Sequence, residues 1–327
     1  MSGKVNLYIY ASVGSSKAIL KLALESYRLD KFCPIILIKE TVFMDSKNLA
    51  WLIRRHAVEM THLSQGSHIG SILSVADIIA VLYASIANVR PDQPDWVGRD
   101  RVILSKGHAG AAIYAALAEM GFFPVADLKS HYQNGSKLSG HVSHKGVPGV
   151  EFSTGSLGHG LSVASGMAKA AKLDQRSNHV FCILGDGECD EGAVWEAALT
   201  SSHFKLDNLI AIIDHNKMQS LDFCVNTINL EPFEDKWTAF GWNVFSIDGH
   251  DHQELQIAML NTKQNTNGKP SVIIANTVKG KGISFMENNI LWHYRYPHEG
   301  SEYEQALREL TIQKPEKCID PYSEKEF

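Results

Sequence analysis

The chain has 327 residues, 44% hydrophobic and 20% charged, an ordinary globular composition long enough to bury one large core or two modest ones. Its formal net charge of −5 is mild, and acidic and basic residues are interspersed, which excludes the electrostatic footprint of a nucleic-acid binder. The apolar runs Val180–Leu184 and Ile210–Ile213 fall far short of the roughly 20 residues that span a bilayer, and the opening MSGKVNLYIY carries no secretory leader, so a cytoplasmic protein is expected.

In chain order, residues 1–45 read as an appendage, with Val5–Ala11, Ser15–Leu29 and Cys33–Lys39 spaced as a small strand–helix–strand unit. From 46 to 300, β-rich runs alternate with helical patterns. Arg101–Ser105, His179–Leu184, Asn208–Asp214, Trp242–Asp248 and Ser271–Val278 read as buried strands, and Ala109–Met120, Leu161–Lys172 and Ala193–Phe204 as helices. Continuously apolar strands alternating with helices predict an α/β fold, a doubly wound, mostly parallel sheet with helices on both faces. Residues 301–327 read as a C-terminal tail, polar and turn-rich from Thr311. The five cysteines, Cys33, Cys182, Cys189, Cys224 and Cys318, form no CxxC pair and suit a reducing compartment without zinc or disulfides.

Ligands of such sheets bind beyond the carboxyl ends of the strands, which directs attention to the loops after Leu184 and Ile213. The first holds Gly185-Asp186-Gly187, where glycines admit close backbone approach and Asp186 offers a hard carboxylate oxygen. A lone Gly-Asp-Gly is usually a turn. Its weight comes from Asn216, which ends the next strand one helix later, so that adjacent strand ends can bring Asp186 and Asn216 to one cation. Mg²⁺ is usually held by one or two protein groups plus substrate phosphates, so the pair points to a bound diphosphate.

Here the chain resembles the thiamine-diphosphate enzymes, whose motif is GDG, a spacer and a terminal Asn, and within them the transketolase family. The segments GSHIGSILSVADIIAVLY, DRVILSKGHAGAAIYAALAEMGFF, GVEFSTGSLGHGLSVASGMAKAAK, GDGECDEGAVWEAAL and TVKGKGISFMENNILWHY match transketolase blocks in family order, from about Ser46 to Pro297. The resemblance implies Mg²⁺ held by Asp186, the Asn216 side chain and the Met218 carbonyl. It implies thiamine diphosphate approached by the Gly187 backbone, His108 and His293, with the Gly155-Ser156-Leu157 turn beside the cofactor rings. His68, His141 and His293 would face the substrate, a task suited to imidazoles that donate, accept or shuttle a proton near neutral pH. Glu191 matches a glutamate near the subunit interface that communicates between paired active sites. His62, His131, His203 and His215 are read as ordinary surface or core residues.

The implied activity is transfer of a two-carbon ketol unit from a ketose to an aldehyde, the cofactor acting as electron sink. A carboligase acting on a keto acid or carrier-bound acyl group is the enzymatic alternative. An inert scaffold would have lost some of Asp186, Asn216, His108 and His68, and all four are present. In full-length transketolases the glutamate that activates the cofactor lies in a second domain. No residue here takes that role, so a separate subunit resembling the rest of a transketolase is expected, with two copies of each chain. The sequence departs from the family at Ser67, at Ser71, at Val142-Ser143 after His141, where Pro-Asp is usual, and at His159, where glutamine is usual. These changes are expected near the cofactor entrance.

Overall fold

The computed structural model describes residues 44–323; the expected strand–helix–strand unit lies outside them. Five strands, β1 (Arg101–Leu104), β2 (Val180–Gly185), β3 (Leu209–His215), β4 (Asn243–Asp248) and β5 (Ser271–Asn276), pair in the order β1-β2-β3-β5-β4. Every pairing is parallel, with Val180 beside Leu209 and Gly185 beside Asp214. All thirteen residues of β2 and β3 are buried, which is why both read as unbroken apolar runs. Strand β4 lies at the sheet edge and is only half covered.

Alternate strand residues feed two cores. Phe181, Ile183, Ile210, Ile212 and Ile273 face one side, against α1 (Ser46–Ser64), α2 (Ile69–Val81) and α3 (Gly110–Glu119). Cys182, Leu184, Ala211, Ile213 and Ile274 face the other, against α4 (His159–Leu173) and α5 (Gly192–His203). Each fully buried Leu or Ile contributes about 1.5–3 kcal/mol by leaving water, so the two faces together fix the strand register. The edge strand is covered by α6 (Phe233–Ala239) on one face and α7 (His252–Gln264) on the other, with Trp237 and Leu255 fully buried. Helix α1 starts where Asp45 accepts from the Lys47 and Asn48 amides at 2.8 and 3.3 Å.

Two expectations need correction. Among the described residues one helical stretch, Ile69–Ile86, 18 residues of mean hydropathy 2.0, is long and apolar enough to cross a membrane; 89% of it is buried inside the protein, where α2 and its π-helical last turn form a core helix. The segment read as a tail from 301 opens with a helix, α8 (Ser301–Ile312), whose Ala306 and Leu310 enter the main core. Its Leu310 carbonyl accepts from Trp51 Nε1 at 2.7 Å. Cys318 then packs on Trp51 and Leu52, and the Tyr322 hydroxyl lies 2.7 Å from His56 Nδ1.

Candidate active site

A cavity of about 230 Å³ opens beyond the carboxyl ends of β2 and β3. Asp186 leaves β2 buried, its carboxylate accepting from the Gly187 amide at 2.8 Å and from the Lys217 amide. The paired strand continues from His215 into Asn216, after which Lys217 takes φ +65°. That left-handed residue turns the chain sharply, and Asn216 and Met218 both line the cavity with Asp186. Asn216 Oδ1 accepts from the Met218 amide at 3.1 Å, and the Met218 carbonyl accepts from Lys279 Nζ at 3.3 Å. Burial pushes the Asp186 carboxyl up; His215 opposes the rise and Asp214 adds to it.

Three oxygens, one a desolvated carboxylate beside a second carboxylate, suit a hard divalent cation. Beside them stands a buried ammonium, a positive charge suited to a diphosphate. Lys279 is almost fully buried, and burial together with Lys106 lowers its ammonium to about 8. Adding a Cβ to Gly187 would bring it 2.6 Å from Gln219, and one on Gly155 would meet the His141 ring at 3.2 Å, so both glycines permit close backbone approach. The residues therefore fit Mg²⁺ and a diphosphate.

The histidines come from four separate segments. His68 sits at the start of α2 with φ +75°, unusual for a residue with a side chain, and its amide donates to the His293 carbonyl at 2.9 Å. Its ring lies 5.1 Å from those of His108 and His293 and 5.6 Å from that of His141. Burial, then His141 and the lysines, lower His68 to about 4, and its buried Nδ1 has no partner among the described residues. Burial and Lys279 take His293 to about 3. Burial and Lys106 hold His108 well below its usual range, with its Nε2 3.2 Å from Ser71 Oγ.

The cavity thus gathers His68, His108, His141, His293, Gly155, Leu157, Asp186, Gly187, Asn216 and Met218. Of the residues expected beside the cofactor, Ser156 is absent from its wall, exposed in the turn whose neighbours face inward; Glu191, expected near a subunit interface, is exposed at the start of α5, behind Gly158. Of the departures from the family pattern, Ser71 lines the cavity; Ser67, Val142, Ser143 and His159 do not.

Sequence reasoning missed the polar supports. Lys106 and Asp214 form an ion pair with almost no solvent exposure, and Asp214 also accepts from Ser74 at 2.5 Å and from Thr277. Glu188, equally buried, accepts from Ser105, from the Gly158 amide at 2.9 Å and from the Gly185 amide at 3.0 Å, tying the 155–158 turn to the end of β2. The available signal was their position inside or beside the motif segments SKGH, IIDHN and GDGE.

Comparison with known proteins matches residues 45–307 to the transketolase, thiamine diphosphate binding domain family. A 6-deoxy-6-sulfo-D-fructose transketolase subunit from Clostridium sp. (strain MSTE9) is 45% identical over 251 residues, covering 76% of this chain and 90% of that one. One of the subunits of an apulose-4-phosphate transketolase from Phocaeicola vulgatus is 41% identical over 266 residues, covering 81% and 94%. Among solved structures, transketolase from Campylobacter jejuni superposes with a TM-score of 0.75 at 32% identity over 83% of this chain, which spans 43% of its length.

Proposed function

Because the chain belongs to the transketolase family, matching its thiamine diphosphate binding domain, we propose that it is the diphosphate-binding subunit of a split transketolase. It is a transferase subunit that moves a two-carbon ketol unit from a ketose donor to an aldehyde acceptor. The observation that carries this reading is one cavity at two adjacent strand ends, where Asp186, Asn216 and Met218 meet four histidines from separate segments.

In this reading, Asp186, Asn216 and the Met218 carbonyl hold Mg²⁺, Gly187 and His108 receive the diphosphate, and the Lys279 ammonium, whose donors lie on Met218, Gln219 and His293, adds positive charge beside it. Gly155 and Leu157 flank the cofactor rings. Bound thiamine diphosphate supplies the electron sink that lets a carbon–carbon bond beside a ketose carbonyl break. The protein's part is to orient the sugar and handle its protons. With Nδ1 accepting from Lys279 Nζ at 2.8 Å, a neutral His293 carries its proton on Nε2 and is a donor there. His68 and His293 are neutral near pH 7, which lets them exchange hydrogen bonds with hydroxyls without desolvating a charge.

A separate subunit completes the site and supplies the activating glutamate, with two copies of each chain in the assembly and Glu191 at the junction. Two close relatives carry the word subunit in their names, which supports the partner. The test is reconstitution. The purified chain alone should transfer nothing; with its partner it should use β-hydroxypyruvate as donor and not pyruvate. Ketol transfer by the chain alone, with the partner shown absent by mass spectrometry, overturns the split arrangement. Preference for pyruvate overturns the transketolase chemistry.

A further inference from the structure

The loop bearing His141 is held from beneath by a side chain that never reaches the cavity. Tyr114, fully buried on α3, places its hydroxyl between two backbone groups of that loop: it donates to the His141 carbonyl at 3.2 Å and accepts from the Ser143 amide at 2.8 Å. The hydroxyl thus brackets Val142. Val142 is fixed in turn, its amide donating to the Gly107 carbonyl at 3.0 Å and its carbonyl accepting from the Thr154 amide at 3.3 Å.

The packing leaves little slack. A Cβ at Gly110, one turn before Tyr114, would come within 2.7 Å of the Val142 nitrogen. His141 itself is exposed, and its ring makes no hydrogen bond among the described residues; it packs against Gly155 and stands 5.6 Å from the His68 ring, so where it stands depends on how its backbone is held. We propose that Tyr114 is a positioning residue for His141, its hydroxyl setting where that imidazole stands over the cavity relative to His68. This rests on the reading of His141 as substrate-facing.

The chemistry of the phenol agrees with the role. Burial lifts Tyr114 to about 12, so the hydroxyl keeps its proton and serves as donor and acceptor together. A proline at 142 would lack the amide that here donates to Gly107, so with valine at that position hydrogen bonds fix the loop.

The test is a double-mutant cycle in the reconstituted enzyme with β-hydroxypyruvate as donor. Tyr114→Phe keeps the ring and deletes both hydrogen bonds. It should lower kcat/KM on the order of 10- to 100-fold, the effect of misplacing a reacting group by a fraction of an ångström to an ångström. Thiamine diphosphate affinity should change less than about twofold, since the hydroxyl bonds the His141 and Ser143 backbone and no group assigned to the cofactor. In a His141→Ala background the same change should cost nothing further, and a crystal structure of the single variant should show residues 141–143 displaced. An equal loss in both backgrounds, an unchanged kcat/KM, or failure of Tyr114→Phe to fold would each overturn the proposal, the last by showing that the hydroxyl serves the fold. If the wild-type assembly transfers no ketol unit, the functional reading falls, and the position of His141 in the crystal still judges the clamp.

Discussion

Replacing Lys106 with methionine tests the buried electrostatics under the site. The Lys106 and Asp214 side chains are 1% and 0% exposed, so neither charge has water to fall back on when the other is removed. Breaking one partner of such a pair costs about 3–5 kcal/mol, a large share of the roughly 5–15 kcal/mol by which domains are stable. Ser74 and Thr277 still donate to Asp214 in the variant, which places the expected loss toward the lower end of that range. The pH dependence has a definite sign. Burial pushes the Asp214 carboxyl up, but Lys106 and the hydroxyl donors together hold it below the ordinary carboxylate value. In the native protein this stabilisation is present above the unfolded pKa of about 4 and is lost as pH falls through the lower folded value. In Lys106→Met burial acts without the lysine, the carboxyl titrates higher, and protonation removes the uncompensated charge. The gap between the two proteins should therefore be widest near pH 7.5 and narrow toward about pH 5, measured by urea unfolding with circular dichroism. A difference under about 1 kcal/mol at neutral pH, or one that widens on acidification, would refute the reasoning.

Asp186→Ala should abolish Mg²⁺-dependent thiamine diphosphate binding and leave the fold intact, and EDTA should weaken binding in the native enzyme; unchanged cofactor affinity by calorimetry on the assembled variant contradicts the metal assignment. His68→Ala and His141→Ala should each slow turnover on the order of 10²–10⁴-fold with little change in cofactor affinity, and near-normal steady-state rates would remove them from the chemistry. His131 is buried with neither ring nitrogen paired among the described residues, and burial lowers it to about 4. Between about pH 6.5 and 4 the unfolded chain binds that proton and the folded one does not, so stability should fall by roughly 3 kcal/mol as pH drops through the window. His131→Leu should flatten that fall without loss of stability at pH 7; a steeper acid dependence in the variant rules this out.

The alternation of apolar strands and helices reflects local chemistry, and it was legible: the expected strand Asn208–Asp214 agrees with β3 (Leu209–His215) to one residue at each end. The motif around Asp186 and its pairing with Asn216 were legible for a related reason, since parallel strands joined by one helix lie side by side. Periodicity is silent on contacts between distant segments. The Lys106–Asp214 bridge joins residues 108 apart, and the Tyr114 clamp depends on a helix meeting a loop 27 residues later. The run from Ile69 to Ile86 shows the same limit, because composition cannot distinguish a core helix from a membrane helix until the layers that bury it are known. Ser156 belongs to the right segment yet is exposed and outside the cavity wall, an outcome set by how its turn is oriented. Residue types and their local spacing determined which chemistry the chain carries; packing of segments remote in sequence decided which side chains meet and which charges lose their water.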